Sequence, residues 1–247
     1  MAADDTKAAF LRIPWAAALL KRPNVVVRVP GSRISKRSLE DSLFAEVLKT
    51  PRTLSSCISF YAKPSDTAPS IDEVSTLITM GDGMNGHPAI LHGGIVASII
   101  DEAMGILQSV NHERDHMAKV GTGHVQGELP PEEFGSFTAT LNLKYLKPVR
   151  TPDSVLVTAR YMKREGRKEW IYAEIKQHVS HGEDDYGEEI VCATGEALFI
   201  KPKGKRTSIY STQGAGRARR LAAADSEPES TGRWPTQHTP RIPPIGQ

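Results

Sequence analysis

Cysteine is scarce in this chain of 247 residues, which contains only Cys57 and Cys192. The two lie far apart and in no C-x-x-C spacing, so the sequence predicts neither a disulfide framework nor a thiolate zinc site, and a reducing compartment fits best. The formal net charge is only +2, which gives no reason to expect nucleic acid as a partner. No uninterrupted apolar run approaches the roughly 18 residues of a membrane-spanning helix. We therefore expect a soluble protein with no membrane span.

Acidic residues are also missing between Lys7 and Leu39, where eight basic residues occur. This composition overlaps with that of a mitochondrial transit peptide. However, Asp4 and Asp5 precede the stretch, and three prolines interrupt it. The sequence therefore favours a cytoplasmic location, with a mitochondrial one as the alternative.

Residues 87–107 are the most informative stretch of the chain. A proline and the Gly93-Gly94 pair mark a loop, and no helix breaker follows before Gly105, so a helix should begin near Gly93. At 100° per residue the apolar side chains fall in one arc, and Asp101 falls with small residues on the other side. The helix start offers unpaired N–H groups that can hold a developing negative oxygen. Together with the Asp101 carboxylate they would suit acyl transfer.

Several motifs resemble those of one family. Asp101 follows His92 at a spacing of nine residues, and further similarity lies in residues 141–148, 165–168 and 193–201. The chain resembles the hotdog-fold acyl-CoA thioesterases, in particular the group with the phenylacetate-pathway thioesterases and the thioesterase superfamily members of animal mitochondria. The resemblance covers residues 72–203. It implies an α+β hotdog fold, in which an antiparallel sheet wraps around a long central helix.

The resemblance also implies roles for individual residues. Asp101 occupies the position of the family's nucleophile or general base, and the sequence does not choose between the two. The amide of Gly93 or Gly94 is the candidate oxyanion donor. Thr138 lies where a hydroxyl orients the water or the thioester, and His92 is expected to order the loop rather than to transfer protons.

Two further sets of candidates follow from the resemblance. Some relatives carry an Asn six residues before the motif His; here Gly86 stands at that place, and a shift of the loop would bring in its neighbour Asn85. Basic side chains could hold the phosphates of coenzyme A. The candidates for this role are Lys144, Lys147, Arg167 and Lys168. No cofactor and no metal is expected.

The expected partner is a small-molecule thioester. Hotdog enzymes of this group build each site across a dimer, so the resemblance implies a homodimer or a dimer of dimers in which Asp101 and the oxyanion donor come from different chains. Two alternatives stay open. One is hydrolytic release of an acyl or polyketide chain from a carrier protein, and the other is a non-catalytic hotdog that binds acyl-CoA or a protein.

Composition divides the chain into four parts. Residues 1–61 are predicted to be an appendage with an amphipathic helix that starts at the N-cap Ser38, and residues 62–71 to be a linker. The resemblance assigns residues 72–203 to the hotdog domain, and composition predicts that residues 204–247 are a disordered basic tail. Within the domain the expected strands cover residues 73–80, 136–146, 154–163, 169–179 and 188–201. A polar loop is expected at residues 111–135.

One competing motif lies in that loop. Residues 112–116 spell H-E-x-x-H, a zinc-protease signature when it lies on a buried helix. The surroundings are polar, and the extended motif fails because Lys119 and Thr122 stand where Gly and His are needed. Glu132 and Glu133 could supply a third ligand only from beside a double proline. A charged loop is the favoured interpretation.

Overall fold

In the computed structural model the described residues are 3–65, 67–127, 135–179 and 188–203. The predicted hairpin loop at 182–187 and the predicted basic tail at 204–247 lie outside them. The helices and strands are, in chain order, α1 (Ala3–Leu11), α2 (Pro14–Leu20), β1 (Val25–Arg28), β2 (Leu54–Ala62), β3 (Glu73–Met80), β4 (Asn85–His87), β5 (Ile90–Leu91), α3 (Gly93–Gly121), β6 (Phe137–Tyr145), β7 (Asp153–Glu165), β8 (Lys168–Val179) and β9 (Glu188–Ile200).

Seven of the described strands form one antiparallel sheet in the order β1-β2-β3-β7-β8-β9-β6, and β4 and β5 form a separate hairpin. One face of the sheet packs on α3, whose buried side chains include Ile99, Ile100 and Leu107. The four strands predicted after the helix are confirmed to within about two residues at each end. The predicted α+β hotdog fold, a sheet wrapped around a long central helix, is also confirmed.

Helix α3 begins at Gly93 as predicted but extends to Gly121, well into the polar loop that was expected to start at residue 111. The polar residues that suggested a loop are tolerated because the later turns lie partly in solvent, while Asn111 is buried and bonds the backbone of Ile71. By length and composition alone α3 could span a membrane. Instead, ten of its residues are buried in the domain.

A β-bulge interrupts strand β6 between Thr138 and Thr140. The sequence pattern predicted Thr138 on one face and Leu141 on the other. Because the bulge inserts one residue, the alternation shifts, and both Thr138 and Leu141 face the helix. That prediction is wrong for this reason.

The N-terminal segment differs from the appendage and linker that the sequence predicted. Strand β2 lies within residues 1–61 and the first residue of the predicted linker, yet it pairs with β3 over six positions and places Cys57 in the main core. Thus β3, expected as the first strand, is the third. The sequence did not predict this strand because its Ser and Cys residues give no clear apolar alternation. Six of its nine residues are nevertheless buried, so the segment is part of the sheet.

The outer face of the sheet carries a second core. Ile58, Leu77 and Leu156 lie side by side on β2, β3 and β7, and Phe10 of α1 packs on them without any exposed surface. Burying a Phe side chain stabilises a fold by roughly 1.5–3 kcal/mol. Residues from α1 and α2 therefore hold the outer face of the sheet.

The helix predicted to begin at Ser38 is reduced to one π-helical turn, Leu43–Val47. Leu39 and Asp41 have left-handed backbone conformations, which block a regular helix there. Of the residues expected on its apolar face, Phe44 and Leu48 are buried, whereas Leu39, Leu43 and Val47 are exposed.

Candidate active site

Asp101 lies on α3 and accepts a hydrogen bond of 2.9 Å from the Thr138 hydroxyl on β6. The carboxylate is half-buried, and Thr138 is exposed. Burial raises the pKa of Asp101 above its ordinary value, and the bond from Thr138 partly offsets that rise. The structure thus brings together two residues that lie 37 positions apart, and it gives the carboxylate the raised basicity that suits proton abstraction from water.

His92 caps the start of α3. Its Nδ1 accepts a hydrogen bond of 3.0 Å from the Gly94 N–H, so this nitrogen carries no proton. The geometry fits the predicted ordering role of His92. It also occupies the Gly94 N–H, which leaves the amide of Gly93 as the better oxyanion donor of the two.

Tyr145 lies over the same helix end and was not singled out from the sequence. Its hydroxyl donates a hydrogen bond of 2.9 Å to the Gly93 carbonyl, and a side chain at Gly93 would meet its ring at 3.6 Å. The signal in the sequence was an aromatic residue at the end of a predicted strand, which alone is too common to assign. Gly93 is therefore held between the His92 cap and this phenol.

The oxyanion donor and the acid do not meet within one chain. Gly93 and Asp101 are eight residues apart on the same helix, which places them about 12 Å apart along its axis at about 1.5 Å per residue. A thioester carbonyl must lie about 3 Å from both groups for them to act together. A single chain therefore does not form a complete site from these two residues.

Asn85 takes part in a different contact. Its side-chain oxygen accepts a very short hydrogen bond from the Thr151 hydroxyl, while Gly86 abuts His92, where an added Cβ would come within 3.0 Å of the imidazole ring. Gly86 thus suits the close approach of the loop to His92. Among the described residues, the Asn85 side chain forms no hydrogen bond to the start of α3.

The four predicted phosphate-binding residues divide into two groups. Lys144 lies opposite Thr194 of β9, whereas Lys168 lies opposite Ile200. The six residues between these positions correspond to about 20 Å along the strand. Lys144 and the nearby Lys147 lie at the end of β6 near Gly93, and Lys168 and Arg167 lie at the end near Thr138.

Arg167 is also partly engaged, because its guanidinium donates to the Lys201 carbonyl at 2.6 Å. Lys144, Lys147 and Lys168 are exposed. Within one chain the two basic groups therefore cannot hold the same cluster of phosphates.

Glu102, next to Asp101, is a second carboxylate that the sequence did not single out. Its Oε1 is buried and has no hydrogen-bond partner among the described residues. Burial, together with the nearby charges of Asp41 and Asp101, raises the pKa of Glu102 to about 7, against the opposing effects of the Ser32 hydroxyl and of Arg33. Glu102 therefore lies where α3 meets the N-terminal segment, not beside Thr138.

The H-E-x-x-H motif lies on the last turns of α3 instead of in the predicted loop. Glu113 forms an ion pair with Arg28 at 2.5 Å, and Nε2 of the buried His116 is 3.0 Å from the Gly127 carbonyl. In the described ranges no group of three His, Cys, Asp or Glu side chains could hold a metal ion. Glu132 and Glu133 lie outside those ranges.

A family model adds to this geometry. The model for the thioesterase superfamily matches residues 89–177, the segment from the β4–β5 hairpin through α3 to β8. This match covers 89 of the 247 residues of the chain. Asp101, Thr138 and the capped start of α3 all lie within the residues that match this model.

Individual proteins are also similar to this chain. Verlamelin biosynthesis protein B of a Lecanicillium species is 27% identical over 171 residues, which cover 61% of this chain and 71% of that protein. A conserved protein of Pseudomonas aeruginosa is 20% identical and covers 53% of this chain and 81% of its own, with a TM-score of 0.37. The PaaI protein of the E. coli phenylacetic acid degradation operon is 16% identical and covers 54% and 75%, with a TM-score of 0.37. At TM-scores of 0.37, these structural similarities are no basis for assigning an activity.

Proposed function

We propose that this protein hydrolyses acyl-CoA thioesters to the free acid and coenzyme A. One observation carries the proposal: within a thioesterase-superfamily segment, a half-buried Asp101 on the central helix accepts a hydrogen bond from Thr138 on the facing strand. Thioester hydrolysis needs a base or nucleophile and a donor for the carbonyl oxygen, and Asp101 and the Gly93 amide are the candidates for these roles.

In the general-base route, Asp101 removes a proton from a water molecule, whose oxygen attacks the thioester carbon. The Gly93 N–H stabilises the resulting oxyanion at the positive end of the α3 dipole. The C–S bond then breaks, and the coenzyme A thiolate takes up a proton. In the nucleophilic route the Asp101 carboxylate itself attacks the thioester carbon, the C–S bond breaks and the coenzyme A thiolate leaves, and the resulting anhydride is hydrolysed by water to the free acid and the Asp101 carboxylate.

We further propose that two chains build each site. The roughly 12 Å between Gly93 and Asp101 along one helix supports this, because a partner chain is needed to bring a donor to the acid. The edge strand β6 is available for such contact, since Phe137 and Tyr145 are 44% and 56% exposed. The partner could also bring its Lys144 and Lys147 toward the Arg167 and Lys168 of the first chain.

Mixing inactive variants tests this arrangement. Asp101→Asn removes the acid, and Gly93→Pro removes the N–H of the donor while a proline remains compatible with the first helical position. If sites are shared, co-expressed chains of the two variants recover activity in the mixed dimer, which keeps one intact site. If activity stays at the level of each variant alone although mixed dimers form, the shared site is wrong.

A second candidate function is release of an acyl or polyketide chain from a carrier protein. It is favoured by the similarity to verlamelin biosynthesis protein B, whose name places that protein in a biosynthetic pathway. The chemistry at the thioester would be the same. The substrate would differ in presenting a protein surface instead of a nucleotide.

The deciding experiment measures thiol release from short, medium, long and aromatic acyl-CoAs and from one acyl carrier protein. Wild type and Asp101→Asn are run in parallel, with circular dichroism as the check on folding. We expect turnover of at least one acyl-CoA class and a loss of at least about a hundredfold in the variant. Turnover of the carrier-protein substrate alone would favour the second function, and a folded wild type inactive on all of them would leave a non-catalytic binder.

We also propose a cytoplasmic location in preference to a mitochondrial one. Removal of residues 1–39 as a transit peptide would take away β1 and the Phe10 packing on the outer face of the sheet. Fluorescent fusion at the C-terminus, with the full chain expressed, tests the location.

A further inference from the structure

The carboxylate of Glu169 joins the central helix to the sheet, and the mechanism above does not use it. Glu169 on β8 has only 5% of its side chain exposed. Its Oε2 accepts a hydrogen bond of 2.6 Å from Gln108 Nε2 and a longer one of 3.4 Å from the Ser136 hydroxyl. Its Oε1 faces two cations, Lys201 at 3.2 Å and Arg164 at 3.6 Å. A buried carboxylate with this many partners is strongly fixed in position.

The position of Glu169 in the sheet connects it to the candidate site. Glu169 lies opposite Phe199 of β9, and Phe199 lies opposite Thr138 of β6. The two residues thus occupy one row of the sheet, two strands or about 10 Å apart. On α3 their partners Asp101 and Gln108 are seven residues apart, which is also about 10 Å and brings both to the same side of the helix.

We infer that Gln108 and Glu169 are a positioning pair that sets the distance between Asp101 and Thr138. Two hydrogen bonds, Thr138 to Asp101 and Gln108 to Glu169, tie the same row of the sheet to the same face of α3. If only one of these two bonds were present, α3 could rotate or slide relative to this row of sheet residues. With both, the Thr138 hydroxyl is held within reach of the carboxylate. This inference rests on the proposed function for its activity readout only.

The test uses Gln108→Leu, which keeps the size of the side chain and removes the hydrogen bond. We expect kcat on the best acyl-CoA to fall about tenfold while KM changes little, because the misplaced groups act in the chemical step. In a Thr138→Ala background the same change should cost less than about twofold, since the contact that it positions is already gone. If Gln108→Leu lowers kcat by the same factor in the Thr138→Ala background as in wild type, the inference is wrong.

Arg164→Gln is the matched control. It removes a cation from the solvent side of the same Glu169 carboxylate and leaves the bond from Gln108 intact. We expect kcat within about twofold of wild type. If this variant loses as much activity as Gln108→Leu, Glu169 acts through general stability and the inference is wrong.

A second readout does not depend on turnover. The carboxyl carbon of Asp101 is titrated by NMR in wild type and in Gln108→Leu. Loss of alignment weakens the bond from Thr138, so the pKa of Asp101 should move up in the variant. An unchanged titration would overturn the inference even if the protein proves inactive on every thioester, whereas missing thiol release alone would count only against the proposed function. If Gln108→Leu does not fold, Gln108→Asn, shorter by one methylene, carries the same expectation.

Discussion

Thr138 donates a hydrogen bond of 2.9 Å to Asp101 and so joins the edge strand β6 to the central helix α3. The bond exists because the adjacent β-bulge turns Thr138 toward the helix. The bond lowers the pKa of Asp101 and so favours the ionised carboxylate, whereas burial raises that pKa. Function and strand register are therefore linked at one position.

Replacing Thr138 tests that link. Thr138→Ala removes the bond, so we expect the Asp101 pKa to rise further and kcat to fall about tenfold, equivalent to about 1.4 kcal/mol of barrier. Because the base works ionised, the acid limb of the kcat/KM profile should move to higher pH. Thr138→Ser, which keeps the hydroxyl, should retain the wild-type limb. An acid limb in Thr138→Ala at or below that of wild type would refute the role.

Glu102 makes the stability of the fold depend on pH. Its pKa is about 7 in the folded chain against an ordinary 4.5, so over this window the folded state holds a proton that the unfolded state releases. The free energy of unfolding should fall as pH rises from about 4.5 to about 7, by on the order of 3 kcal/mol, and stay level above. Urea unfolding at several pH values measures it.

Glu102→Gln should remove most of this slope and be the more stable protein at pH 8. Glu46→Gln, which changes an exposed carboxylate in the π-helical turn, should keep the slope of wild type. Identical slopes in all three proteins would show that Glu102 does not titrate in this window.

Arg33 holds the N-terminal segment together. Its buried guanidinium donates to three carbonyls, those of Phe44, Leu48 and Leu54, at 2.6, 3.2 and 2.7 Å. Arg33→Met removes this donor from all three carbonyls, of which that of Leu48 keeps a bond of 3.3 Å from the Leu54 N–H. The loss should cost about 2–5 kcal/mol of unfolding free energy. Arg37→Met, at an exposed position of the same segment, should change it by less than about 0.5 kcal/mol. Chemical denaturation of both variants measures these changes, and an equal loss of unfolding free energy in the two would contradict the role of Arg33.

Gly195 on β9 allows α3 to pack closely on the sheet. An added Cβ would come within 2.6 Å of Ile100 and 3.0 Å of Leu143. Gly195→Ala should therefore destabilise the fold by about 1–3 kcal/mol. It should also lower kcat, because Ile100 precedes Asp101. Gly105→Ala, which meets no atom within 4 Å, should be neutral or slightly stabilising. The melting temperature and the rate of thiol release are measured for both variants. Equal values for Gly195→Ala and Gly105→Ala would show that Gly195 is not needed for close packing.

The sequence predicted the central helix and the strands after it because these depend on local patterns. Apolar periodicity and the Gly93-Gly94 pair identify the start of α3 without any tertiary contact. The bulge at Thr138, the contact of Tyr145 with Gly93 and the Gln108–Glu169 pair depend on how distant segments meet. No spacing along the chain encodes them.

The N-terminal half shows the same limit. Strand β2 was missed because Ser55, Ser56 and Cys57 give it no clear apolar alternation, although the sheet buries most of it. The π-helical turn was overpredicted as a helix because its apolar spacing is helical, while Leu39 and Asp41 adopt left-handed conformations that a pattern does not reveal.

The pairing of β2 with β3 decides where the protein can be shortened. A chain that began at residue 72 would keep Asp101 and Thr138 but would expose the hydrogen-bonding groups of β3 along its length, together with the apolar Leu77 on its outer face. Such an open strand edge invites pairing with other chains. Resistance of this domain to aggregation therefore depends on residues 54–62, outside the segment that carries the candidate site.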